Sequence, residues 1–283
     1  MAPLKGRTAD ESTALFRELL AIMVTPSSWY SGIESLLVLY GIIVLRYFIV
    51  AGFFAFLLRC WRRSLAVPRV EGDGHDSGRS REAGIGRDIG LSVGSAAIFA
   101  LVGVVLMQAV QHGATRMYGE LMGYGWWYLP VSYGLVLLLQ DTVFYFTHRL
   151  FHQPQWYGYA HRSHHQSRPP TPWTSFAFDP PEAILQAVFL AVVVLAIPLH
   201  PLTLSAVLIT MTVWAVINHL GLEDLKLAWY PRWLAWSLIG PSHHSMHHAC
   251  PRVHFGLYFT FWDRVLETQI LDLPECSSSR KSR

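Results

Sequence analysis

Three groups of histidines at metal-ligand spacing, spread over about a hundred residues, constrain this chain more than any other feature. A fold that uses them must bring distant segments to one place. The first group is His148 and His152, in the run Asp141-Thr-Val-Phe-Tyr145-Phe-Thr-His148-Arg-Leu-Phe-His152. The second is His161-Arg-Ser-His164-His165, and the third is His243-His244-Ser-Met-His247-His248. Neutral imidazole is the commonest nitrogen ligand for iron, copper, nickel and zinc. Residues three and four apart share one face of a helix. H-x-x-x-H therefore aims two imidazoles at one point, and H-x-x-H-H adds a third set around the helix. One such pair is within chance; three are not.

Composition says where these groups sit. Of 283 residues, 52% are apolar and only 14% charged, with a mean hydropathy of +0.30. Soluble domains carry about a quarter charged residues, so the chain reads as an integral membrane protein. The net charge of +3 is small and the basic residues fall at membrane edges, which gives no support to nucleic-acid binding. Three cysteines, Cys60, Cys250 and Cys276, with no C-x-x-C, indicate neither a disulfide framework nor a thiolate metal site. Cys250 reads as an ordinary small residue. The polar, mixed-charge first thirty residues do not resemble a cleavable signal peptide.

The apolar runs set the architecture. Ile33–Leu58 is long enough to cross a bilayer and closes on Arg59, Arg62 and Arg63. The Gly/Ser/Arg-rich stretch Pro68–Asp88 reads as a mobile loop. A second span runs from Ile89 to about Val110, rich in the small residues that let membrane helices pack closely. A third begins at the interfacial aromatics Trp126, Trp127 and Tyr128 and runs straight into the first histidine group. Glu182–Leu199 and Leu202–Ile217, joined at His200-Pro201, read as a tight helical hairpin. Residues 225–240, with Trp229, Tyr230, Trp233 and Trp236, read as a helix lying in the headgroup region.

The fold expected is therefore all-α: a multi-pass bundle of three spans plus a helical hairpin, under a histidine-rich helical cap. Along the chain, 1–125 form an N-terminal membrane region, 126–273 a catalytic region and 274–283 a disordered tail. Seven arginines between the first two spans, against Arg116 alone between the next two, make the arginine-rich side cytosolic. Counting crossings from there brings the three histidine groups and His219 to that same side. His112 and His200 fall on the other side, and His75 falls in the loop.

Tetrahedral structural zinc takes four ligands, usually with cysteines among them. Here His148, His152, His161, His164, His165, His244, His247 and His248 make eight, with His219 a ninth candidate at the end of the hairpin, and so many nitrogens suit two metal ions better than one. Two iron ions can together reduce dioxygen and oxidise an unactivated C–H bond.

From Asp141 to about Thr268 the chain resembles the membrane fatty acid hydroxylase/sterol desaturase superfamily of non-haem di-iron oxygenases. The resemblance rests on D-x-x-x-Y-x-x-H-R-x-x-H at Asp141–His152, H-x-x-H-H at His161–His165, and the Pro170-Thr-Pro-Trp segment leading to Asp179-Pro180. Asn218-His219 comes next, then H-H-x-x-H-H with Gly256-Leu-Tyr258-Phe-Thr-Phe-Trp262-Asp263-Arg264. It implies a transmembrane bundle topped by a cytosolic cap holding two irons. Its ligands would be His148, His152, His161, His164, His165, His219, His244, His247 and His248, with His243 behind them. Asp141, seven residues before His148 and so on the same helical face, would orient an imidazole through its other nitrogen. Asp263 either does the same or forms a surface pair with Arg264.

Sterol C5-desaturases carry a histidine where this chain has Asp179, and N-Y-G where it has His254-Phe255-Gly256. The resemblance is thus to the superfamily rather than to that enzyme. His254 either replaces a hydrogen-bonding asparagine or is a surface histidine.

The resemblance implies an oxidoreductase that uses O2 and two external electrons to hydroxylate or desaturate a lipid from the bilayer. Sterol-like, fatty acyl or sphingoid, and carotenoid substrates all stay open, as does the choice between the two outcomes, which share their first step. No fused cytochrome b5 or flavin segment is apparent, so a separate electron donor of cytochrome b5 or ferredoxin type is implied. A bacterial inner membrane and the endoplasmic reticulum both fit, with the site on the cytosolic face. The competing class is a non-catalytic metal-binding scaffold or a metal transporter, which would place ligands along a path through the spans.

Overall fold

Proline opens four of the eight helices seen in a computed structural model of the chain, which describes residues 32–64, 77–221 and 236–270. In chain order they are α1 (Gly32–Ser64), α2 (Ser77–Gln111), α3 (Tyr128–Phe151), α4 (Pro154–Ala160), α5 (Pro180–Ala196), α6 (Pro201–Asn218), α7 (Pro241–Ala249) and α8 (Phe261–Val265). Proline suits the first helical position because its missing N–H would lack a partner there anyway. In α4 to α7 it fixes where each helix starts, and therefore which residues fall on which face. Two short 3-10 turns, His164–Gln166 and Pro172–Phe176, lie between α4 and α5.

Gly32–Arg63, Glu82–Gln111, Tyr128–Phe151 and Pro201–Asn218 are long and apolar enough to cross a membrane. Large apolar side chains stand exposed along them, among them Leu37, Ile49, Leu101, Val105, Leu138 and Ile209, as suits contact with lipid tails. The shorter α5, 17 residues, lies beside α2 and joins α6 through the extended link Ile197–His200. These elements give the expected all-α membrane bundle of three spans plus a hairpin.

Helix α2 is where the expectation fails. The stretch read as a loop up to Asp88 is already helical from Ser77. Gly and Ser in that stretch signal a loop, yet Arg87 and Asp88 are fastened to the histidine-bearing end of the bundle and the helix continues unbroken into the span. Along the α1–α2 seam, Ala96 and Ala100 are buried against Ile43, and a Cβ on Gly103 would meet Leu39 Cδ2 at 2.5 Å. Small residues do here set the approach of two membrane helices.

The N-terminal spans are not a separate body. Tyr47 and Ala51 of α1 share a core with Phe176 and Val216, and Trp173 packs on the same cluster. The hydroxyls of Tyr47 and Ser92 both donate to the Trp173 carbonyl, at 2.8 and 3.3 Å, and Ser95 donates to that of Phe178 at 3.3 Å. Spans α1 and α2 thus hold the 170–179 segment in place.

At the far end, residues 112–127 close over the hairpin corner, where Tyr118 N–H donates to the Leu199 carbonyl at 3.1 Å. His200 is buried there, its Nδ1 accepting the Leu202 N–H at 3.2 Å as the cap of α6. His112 is exposed at the same end. At the near end, Arg62 reaches the Gly221 carbonyl (3.4 Å) and Arg87 reaches Gln166 (2.7 Å), so the arginine-rich helix ends and the histidine groups share one end of the bundle. His75, most of the 225–240 segment and the tail 274–283 lie outside the described residues. Cys250 is disulfide-bonded, which its reading as an ordinary small residue did not anticipate.

Candidate metal centre

Helical geometry sorts the histidines. Pairs four residues apart stay together: His148 with His152, His161 with His165, and His244 with His248. His164 and His247, one position off those faces, cross to the other set. The result is two groups, His148/His152/His161/His165/His247 and His164/His219/His244/His248, within each of which the candidate ligand atoms lie within 4.8 Å of one another. All nine residues expected as ligands are in these groups, and eight of the nine are buried, His152 being half-buried. The 3-10 turn and α7 each feed both groups, so the two sites are built as a unit.

The hydrogen bonds decide which nitrogen is free. A carbonyl oxygen can only accept, so an imidazole nitrogen facing one carries the proton. His148 Nδ1 donates to the Phe255 carbonyl (3.0 Å), His247 Nδ1 to that of Val253 (2.7 Å) and His219 Nδ1 to that of Ala215 (2.6 Å). His161 Nδ1 donates to Glu182 Oε2 at 2.7 Å. Each of these four rings therefore presents a bare Nε2 lone pair to its group. His148 Nε2 and His161 Nε2 face each other at 3.0 Å, lone pair to lone pair. Four more Nε2 pairs stand close: His219–His164 at 3.1 Å, His244–His219 at 2.9 Å, His247–His165 at 3.1 Å and His248–His244 at 3.1 Å. The buried Nε2 of His152 has no hydrogen-bond partner. The bare His148 and His161 lone pairs repel at 3.0 Å unless a cation lies between them, and three of the other four pairs include His219 or His247, whose Nε2 is bare as well. The donor set fits metal ions in both groups.

Electrostatics point the same way. Burial pushes His161, His164, His165, His244, His247 and His248 well below the usual histidine range, and neighbouring imidazoles push further in that direction. His152 is lowered for the same reasons. His219 falls to about 4 by burial, opposed by its bond to Ala215. Neutral imidazole is the metal-binding form.

Behind the ligands stands a frame of carboxylates. Asp141 does not reach an imidazole: its Oδ1 accepts the backbone N–H groups of Leu257, Tyr258 and Phe259 at 3.1, 2.7 and 3.1 Å. Two turns on along the same face of α3, His148 bonds the Phe255 carbonyl, so acid and ligand grip one turn of chain. Asp263 is buried rather than paired with Arg264, and Arg264 stacks over Trp236 at 3.4 Å. Asp263 accepts from Phe255 N–H (2.8 Å), Gly256 N–H (2.9 Å) and Thr268 Oγ1 (2.7 Å). Tyr145 O–H in turn bonds Thr268 Oγ1 at 2.8 Å. Burial raises the Asp263 pKa against these bonds. At Gly256 a Cβ would meet the Phe259 carbonyl oxygen at 2.6 Å and Asp263 Oδ2 at 2.9 Å, so only glycine fits the turn.

His254 is buried with φ +55°, its Nε2 bonded to the Ile270 carbonyl at 3.0 Å. That removes the surface reading and matches the asparagine-like role, since asparagine and histidine both tolerate the left-handed region. His243 lies in neither group; its Nδ1 accepts the Gly240 N–H at 3.2 Å and its ring packs on His254.

Sequence reasoning missed Glu182. It is 2% exposed, bonds His161 and lines a cavity beside the two histidine groups. The signal was present, because a lone acid opening an apolar hairpin has to be there for a polar partner. That cavity, about 40 Å³, is walled by Phe144, Phe178, Ala215 and Leu257 and touches both groups through His148, His161, His164, His219 and His244.

The chain is similar to known proteins. The family model described as "Fatty acid hydroxylase" matches residues 133–268. The chain is 31% identical to a Delta(7)-sterol 5(6)-desaturase of Gibberella zeae over 58% of this chain and 49% of that protein. It is 30% identical to the lathosterol oxidase of Mus musculus over 64% of this chain and 60% of that protein. A Delta(7)-sterol 5(6)-desaturase of Aspergillus fumigatus is 30% identical over 53% of this chain and 52% of its own length. The chain thus spans about half to three-fifths of the curated relatives it matches. No solved structure matches it.

Proposed function

We propose, from the membership of residues 133–268 in the fatty acid hydroxylase/sterol desaturase superfamily, that this chain is a membrane oxidoreductase acting on a lipid C–H bond. The reaction consumes O2, two electrons and two protons. It yields either an alcohol and one water, or a carbon–carbon double bond and two waters. One observation carries the reading: nine imidazoles from separate segments form two groups that open on one apolar cavity. Two iron ions, one per group, would supply the oxidising power when bound.

The chain's own residues do the rest. His148, His152, His161, His165 and His247 would hold one ion, and His164, His219, His244 and His248 the other. Glu182, Asp263 and the Phe255, Val253 and Ala215 carbonyls fix the tautomers and the turn that present those nitrogens. Phe144, Phe178, Ala215 and Leu257 keep the reacting carbon in an apolar space that admits little water. Phe144 and Ala215 lie on the spans, one turn before His148 and His219, so the cavity sits at the histidine-bearing ends of those spans. The substrate proposed is a sterol-like lipid, as the relatives' names suggest, with acyl chains and carotenoids next. Electrons would come from a separate donor of cytochrome b5 or ferredoxin type at the arginine-bearing end, which we take as cytosolic.

Transport is the weaker reading, because the groups crowd at one end and, among the described residues, no second set of ligands continues through the bundle. The test is to load the purified chain with iron, supply a chemical reductant and follow O2 uptake, beside a lipid comparison of cells with and without the gene. Reductant-dependent O2 uptake, with a lipid two mass units lighter or sixteen heavier, supports the proposal. Iron-loaded protein that leaves O2 and the lipids unchanged leaves only the scaffold.

A further inference from the structure

The segment 164–174 carries two ligands that go to different metal groups, His164 and His165, and then leaves the site before returning at the 3-10 turn Pro172–Phe176. Its neck is closed by a side chain from outside the family-matching region. Asp88 of α2 is 1% exposed, and its Oδ2 accepts from Ser167 Oγ (2.5 Å) and Thr174 Oγ1 (2.7 Å). Those partners stand 79 and 86 residues along the chain. Asp88 Oδ1 accepts from Arg87 Nη2 at 2.9 Å, and the same guanidinium donates to Ser167 Oγ (2.7 Å) and Gln166 Oε1 (2.7 Å).

Each member of this network is adjacent to the site in a definite way. Ser167 caps the turn His164–Gln166. Thr174 belongs to the next turn, accepting the Thr171 N–H at 3.0 Å, and precedes Ser175 and Phe178 in the cavity wall. On the outer side of the first turn, Arg168 Nε donates to the His165 carbonyl at 3.0 Å. One buried carboxylate therefore pins both ends of the 167–174 loop to the second span. Because His164 and His165 diverge from a single short turn, the tilt of that turn sets where the two groups stand relative to each other. A buried carboxylate with three donors is a stiff anchor, since any tilt breaks charge-assisted bonds.

We propose that Asp88 is a positioning residue for the metal pair: by closing the neck of the 167–174 loop it holds the turn that delivers His165 to one group and His164 to the other. The inference rests on the metal reading above and makes the second span, which the family match does not cover, part of the site's construction.

Asp88→Ala and Asp88→Asn in the full chain test it, with two readouts. The first is backbone amide exchange of residues 164–176 in the iron-free protein, which does not depend on metal. The second is the rate at which a chelator removes iron from the loaded protein. Asp88→Ala is expected to raise both at least tenfold while exchange in α3 and α6 stays as in the unmodified chain. Asp88→Asn, which can still accept from Ser167 and Thr174, is expected to recover most of the loss. Should Asp88→Ala fail to accumulate in the membrane, Ser167→Ala and Thr174→Ala, each removing one donor, are read in its place with the same direction expected. Unchanged exchange at 164–176 overturns the proposal, as does acceleration spread equally over the whole bundle. An unmodified chain that binds no iron would overturn the metal reading, and the exchange measurement would still decide the anchor.

Discussion

Glu182 and His254 are single buried side chains near the histidine groups, each with a definite hydrogen-bond partner. Glu182 bonds the distal nitrogen of His161 and so fixes its tautomer and strengthens its basicity. Removing such a partner typically weakens metal binding by about 10–100-fold. Glu182→Ala is expected to fall in that range in a chelator competition, with Glu182→Gln, still an acceptor, losing less. Equal affinity in all three would mean that His161 needs no fixing. His254 makes a pH prediction. Burial lowers it to about 4, against the bond to Ile270, while an unfolded histidine titrates near 6.5. The unfolded chain thus binds more protons between those values, so stability from this group is present above about pH 6.5 and lost as pH falls towards 4. The slope is at most about 1.4 kcal/mol per pH unit. His254→Asn, which accepts the same backbone angle without titrating, is expected to lose less melting temperature than the unmodified chain between about pH 7 and 5. Parallel losses would contradict this.

At the scale of elements, the turn 255–259 and the α1–α2 seam both depend on glycine, for different reasons. At Gly103 an added methyl meets the tip of the flexible Leu39 side chain, which can turn away. At Gly256 it meets a backbone oxygen and a carboxylate already committed to two N–H groups. Gly256→Ala is therefore expected to cost about 1–3 kcal/mol, the range for forced overpacking, and to weaken iron binding, because the turn also carries the carbonyl that fixes His148. Gly103→Ala is expected to cost less and to leave iron binding alone. Thermal unfolding in detergent with iron content on the same samples checks both; the reverse order would mean that the turn is softer than its bonds suggest.

Elements also differ in how far local sequence reveals them. The spans and the hairpin are legible because apolar runs of that length admit few other folds. The ligands are legible because four-residue spacing is itself a helical geometry. Residues 77–88 mislead because their Gly and Ser content signals a loop, whereas the partner Ser167 that fastens Asp88 lies 79 residues away. For Asp141, helical periodicity correctly places the acid on the face of His148 yet wrongly pairs it with an imidazole. The partner between them, a backbone turn from near the end of the chain, leaves no mark in local sequence.

For the whole molecule, one short turn and one short helix distribute histidines between the two groups that could each hold a metal ion. His165 and His247 serve one, His164 and His244 the other. The most direct measurement is iron per chain in the loaded, full-length protein and in His165→Ala, His244→Ala and the double variant, with folding checked by size exclusion. Two irons in the unmodified chain, about one in each single variant and none tightly held in the double variant are expected. One iron in the unmodified chain, or two retained in either single variant, would contradict a pair of histidine-built sites.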